Sequence, residues 1–71
     1  MTDMERLKKI IIESGVKKSF IAKKLGITRT ALDKKLETGS DFKAFQMFIL
    51  ADILHLSDQE TREIFFSQDV D

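Results

Sequence analysis

The side chains able to do covalent or metal chemistry are few. There is one histidine, His55, and no cysteine, so the scattered carboxylates lack partners for a metal set. No Ser/His/Asp arrangement, Gly-rich phosphate loop or close carboxylate pair in an apolar setting occurs. The sequence therefore predicts no enzyme, no metal and no cofactor. Its abundant chemistry is cationic and clustered. Residues 16–36 carry seven basic side chains against one acid, although the whole chain has a formal net charge of zero. Residues 1–38 sum to +5 and residues 39–71 to −5. A basic half joined to an acidic half predicts a polyanion partner on one side only. On charge alone, an unevenly charged but merely solvated surface fits equally well.

Spacing adds what charge lacks. From Lys18 to Leu36 the order is KSFIAKKLGITRTALDKKL. Ala22 stands four residues before Gly26, where two helices passing closely leave no room for a larger side chain. Gly26 occupies the turn, and Ile21, Leu25 and Leu32 fall where the pair buries its inner face. This is the spacing of a helix-turn-helix unit, placed at about 17–37, whose second helix enters the DNA major groove while the first crosses the backbone. Arg29, Thr30, Asp33 and Lys34 form the outward side of that second helix, with Lys35 at its edge. Arg and Lys can donate to guanine O6 and N7, and Thr can bond a base edge or touch a thymine methyl. Lys17, Lys18 and Ser19 open the first helix, where free N–H groups and positive charge can hold a phosphate. Ser40 and Lys43 stand ahead of a later helix and can hold another.

The elements that position these groups are all predicted helical. There is no Pro and there are only three Gly, against 42% hydrophobic residues including six Phe. A 71-residue chain buries only roughly 60% of its unfolded surface, which allows one core and one domain over 1–71. Thr2 and Glu5 read as a capping box opening a first helix at about 3–14, with Met4, Leu7 and Ile11 on one face and Gly15 ending it. A second helix is predicted at about 17–25. Thr28 caps a third at about 29–37, whose inner face carries Ala31, Leu32 and Leu36. A fourth, at about 43–55, is apolar nearly all round, which predicts a buried central helix. Ser57 and Glu60 read as a capping box for a fifth at about 58–66, and residues 67–71 form a frayed tail. The longest apolar stretch, Phe42 to Leu56, is interrupted by Lys43, Gln46, Asp52 and His55. It falls short of the ~20 residues of a membrane helix. No signal-peptide core is present, so a cytoplasmic location is expected.

Together these residues resemble the lambdoid phage repressor and Cro superfamily, the XRE-like regulators. The resemblance covers roughly residues 5–66. Beyond the helix-turn-helix, Leu32, Lys35, Leu36, Gly39, Asp41 and Phe42, then an apolar helix, then Leu56, Ser57, Glu60 and Ile64-Phe65-Phe66, are similar to small regulators of phages from low-GC Gram-positive bacteria. The resemblance implies a five-helix, all-α, lambda-repressor-like domain. It implies base-reading positions at Arg29, Thr30 and Lys34. It implies phosphate contacts among Lys17, Lys18, Ser19, Thr28, Lys35, Ser40 and Lys43. Where many relatives carry an apolar residue this chain has Lys35, so Lys34 and Lys35 compete for one base contact.

A helix-turn-helix monomer contacts about one half-site, which favours dimers on palindromic DNA. Phe65, Phe66 and Val70 are the candidates for that dimer contact, the other possibility being that they close the core over the first helix. The expectation is a Cro-like phage or prophage repressor of operator DNA, homodimeric at least on DNA, without room for a ligand-sensing domain and with no small-molecule ligand. The alternative is a protein-interaction module, antirepressor or antitoxin-like, using the same fold without specific DNA binding.

Overall fold

A computed structural model describes residues 2–66. The expected tail at 67–71, including Val70, lies outside them. Five helices follow in order: α1 (Met4–Ser14), α2 (Lys18–Leu25), α3 (Arg29–Thr38), α4 (Ala44–Ile53) and α5 (Asp58–Phe65). No strand occurs among the described residues.

The caps of α3 and α5 have local causes and that of α1 a tertiary one. At α1 the cap is Asp3, whose Oδ1 accepts from the Arg6 N–H at 3.1 Å, and not Thr2. Thr2 is buried, and its hydroxyl donates to Asp41 Oδ1 at 3.3 Å. The reason is tertiary: the Asp3 N–H donates to the Ile64 carbonyl at 2.6 Å, so the chain ahead of α1 is laid along α5. That pulls Thr2 away from the helix end, and the next residue supplies the capping oxygen. Gly26 closes α2 at φ +76°, a left-handed conformation that costs a residue with Cβ roughly 1–2 kcal/mol. Thr28 Oγ1 caps α3 by accepting from the Ala31 N–H at 3.0 Å. At α5 both bonds of the capping box form, Glu60 N–H to Ser57 Oγ and Ser57 N–H to Glu60 Oε1, each at 3.0 Å.

The core joins all five helices. Leu7 and Ile11 come from α1, Ile21, Ala22 and Leu25 from α2, Leu32 and Leu36 from α3, Leu50 from α4, and Ile64 and Phe65 from α5. Phe42, in the loop before α4, meets Phe65 edge-on with ring centres 6.4 Å apart. The radius of gyration is 11.4 Å, near the ~11 Å expected of a closely packed domain of this length.

Helix α4 departs from expectation. Only Gln46 and Leu50 are buried along it, while Phe45 and Phe48 are 53% and 74% exposed. The reason is a shortage of neighbours. α4 packs against α2 and α5, and among the described residues no further helix covers its remaining side. Gln46 is inside because its side-chain carbonyl accepts from the Lys43 N–H at 2.9 Å, holding the start of the helix.

The α1–α5 seam makes stability sensitive to acid. Glu60 lies below its ordinary 4.5, chiefly because its carboxylate accepts from the Ser57 N–H and then from the Ser57 hydroxyl. Glu63 lies below 4.5 because it accepts from Arg6, at 2.8 Å, and from Gln59. A carboxylate whose folded pKa is depressed stabilises above its unfolded value and stops doing so as pH falls through the folded one. The urea midpoint should therefore begin to drop as pH falls through the ordinary carboxylate range near 4.5 and go on dropping below it. A Glu60→Gln/Glu63→Gln variant should show a smaller drop over the same range. An equal drop would remove these two groups from the acid sensitivity.

Candidate nucleic-acid interface

The segment 17–43 contains the cationic candidates, and the fold separates them into three kinds. The first kind is exposed to solvent. Arg29 and Thr30 occupy the first turn of α3, and Lys34 stands on its exposed side. The Arg29 side chain is 65% exposed. What aims these residues outward is the opposite side of the same helix, where Leu32 and Leu36 are buried in the core. The link from α2 is the three residues Gly26, Ile27 and Thr28. The Ile27 N–H returns to the Ala22 carbonyl at 3.0 Å, which holds the link tight against α2. Ala22 itself is buried, consistent with a close passage of the two helices there.

The second kind is held within the chain. Lys18 Nζ lies 3.2 Å from Asp33 Oδ1, an ion pair joining the start of α2 to the middle of α3. That oxygen is shielded from solvent and makes no aligned hydrogen bond, so its charge is met by the lysine electrostatically. The other oxygen, Oδ2, lies 3.9 Å from Arg29 Nε. Asp33 therefore faces two of the candidate cations at once, a role its place among the outward residues of the third helix did not assign. The one local signal is the Arg29–Asp33 spacing of four, which sets two helical side chains side by side. Lys35 is engaged too. Its ammonium donates to the Asp41 carbonyl at 3.1 Å and sits 5.4 Å from the centre of the Phe42 ring. Of the two rivals for one base contact, Lys34 is the exposed one and Lys35 is bound to the loop before α4. The Thr28 hydroxyl is used as the cap, and its backbone stands at the helix start.

The third kind stands at helix starts. Lys17 and Lys43 are the residues immediately before α2 and α4, both with extended backbone, and both are exposed. Ser19 is exposed in the first turn of α2, and Ser40 is exposed with its Oγ 2.9 Å from Thr38 Oγ1. Free N–H groups at these two helix starts add their partial positive charge to the lysines.

The candidate dimer residues divide. Phe65 is 2% exposed and packs on Phe42, so it belongs to the core and leaves the interface set. The reason is its place on α5, beside Ile64 on the side that closes over α1. Phe66, one residue beyond, is 60% exposed. Among the described residues no group of three or more His, Cys, Asp or Glu could hold a metal, and no helix is long and apolar enough to cross a membrane.

Compared with family models, with curated proteins and with solved structures, the chain matches none at a significant level.

Proposed function

We propose that this chain is a sequence-specific DNA-binding regulator of the lambda-repressor-like helix-turn-helix class, acting as a Cro-like repressor on two-fold-symmetric operators. The observation that carries this reading is the build of α3. One side of it is sunk in the core through Leu32 and Leu36, and the other presents Arg29, Thr30 and Lys34 exposed among the described residues. A helix held that way can enter a major groove without rearranging. Lys17, Ser19, Ser40 and Lys43 supply cations and donors on either side of it for the phosphate backbone. Lys18 joins them by exchanging the Asp33 carboxylate for a phosphate. Of the described acidic residues after residue 38, only Asp41 belongs to the link between α3 and α4; the others stand on α4 and α5, which limits repulsion of the duplex. With operator bound, the regulator excludes RNA polymerase from the same DNA.

The test is selection of bound duplexes from a random library at moderate salt. An enriched two-fold motif is the expected result, and its half-site spacing should be near one helical turn, about 10 base pairs. Enrichment of a single half-site would keep the function and remove the dimer from it. A folded protein that enriches nothing would overturn the DNA reading in favour of a protein-interaction module.

A further inference from the structure

An apolar groove of about 660 Å³ opens between α2 and α4. Phe20 of α2 and Phe48, Ile49 and Ile53 of α4 supply its apolar lining, and Lys24 and Asp52 supply charge. Phe20 is 47% exposed, and Phe45 lies one turn before Phe48 on the same helix side. Phe20, Phe45 and Phe48 are each roughly half or more exposed and form an unpartnered aromatic surface on α2 and α4.

We infer that this groove docks a second copy of the same chain. The argument is the placement of charge. Lys24 belongs to α2 and Asp52 to α4, the two helices that line the groove. Among the described residues neither is ion-paired within the chain, and Lys24 instead rests over the Phe20 ring at 5.4 Å. A two-fold axis through the groove sets α2 of one copy against α4 of the other. Lys24 then meets the Asp52 of its partner, and the reverse pair forms by symmetry. Phe48 of each copy enters the apolar floor of the other. A partner of one charge sign would match Lys24 or Asp52 and leave the other opposed, whereas a second copy matches both. None of Arg29, Thr30, Lys34 and Lys18 lines the groove, so the docking surface does not use those side chains. The pairing does not rest on DNA binding and is measured without DNA.

Sedimentation equilibrium of the full chain should give a reversible monomer–dimer equilibrium. Phe48→Asp should raise the dimer dissociation constant by about thirtyfold or more. Lys24→Asp and Asp52→Lys should each raise it about tenfold, and the two together should return it to within about threefold of the parent. All three positions are at the surface, and circular dichroism checks that each variant keeps its helices. The charge exchange stands alone as a test if Phe48→Asp fails to fold. A parent chain that stays monomeric to about 1 mM would overturn the inference. So would a dimer that the double exchange weakens further, or one that Phe66→Asp dissociates while Phe48→Asp does not.

Discussion

Leu32→Ala is expected to lower the free energy of unfolding by about 3 kcal/mol, read as a fall in urea midpoint with an unchanged slope. Leu32 is fully buried at the centre of α3. Truncation removes its transfer from water and leaves a cavity beneath a ten-residue helix that cannot hold its shape alone. Total stability for a domain of this length is roughly 4–10 kcal/mol, so the variant loses about 30% of it or more. Ile12→Ala is the matched control. Ile12 is exposed, and its truncation should change stability by about 0.5 kcal/mol or less. Equal losses at the two positions would contradict the packing described for α3.

Arg29→Ala is expected to cost about 1–3 kcal/mol on the preferred duplex and to relax base choice at one position per half-site. Arg29 is the first residue of α3, largely exposed, and leans on Asp33 through Nε at 3.9 Å. That contact leaves the terminal guanidinium nitrogens to form a fork toward a guanine edge. Arg29→Lys keeps the charge and loses the fork, so it should recover binding to random duplex while leaving base choice relaxed. The two measurements separate the roles of the residue. Equal loss on every sequence after Arg29→Ala would place the guanidinium on phosphate. Selective loss on one base places it in the groove.

Several features of this protein were legible without coordinates because their causes are local. Thr28 ahead of α3 and the Ser57–Glu60 box ahead of α5 satisfy backbone donors within one turn, and both bonds are there. The three-residue link at Gly26 has a left-handed glycine because no other residue adopts that φ cheaply. Ala22, Leu25, Leu32 and Leu36 are inside, as helical spacing requires, and the same spacing puts Arg29, Thr30 and Lys34 outside.

Tertiary structure decided the rest, wherever two segments far apart in sequence compete for one group. Thr2 has a capping sequence around it but bonds Asp41, thirty-nine residues away, because the first residues are pinned along α5. Phe65 and Phe66 are neighbours of one type, and only packing against Phe42 makes the first a core residue and leaves the second in water. Lys34 and Lys35 differ in whether the loop at Asp41 comes within reach of the ammonium. Periodicity makes α4 a buried helix because it counts apolar residues on the helix and not the neighbours available to cover them. With α2 and α5 beside it and no sixth helix among the described residues, Phe45 and Phe48 remain at the surface. Local sequence thus determined the helices, the caps of α3 and α5 and which way α3 faces, since those depend on residues within a turn of each other. Burial at α4, the Lys18–Asp33 pair and the division of the two phenylalanines depend on which surfaces the folded chain has left to offer, and that is settled only when all five helices meet.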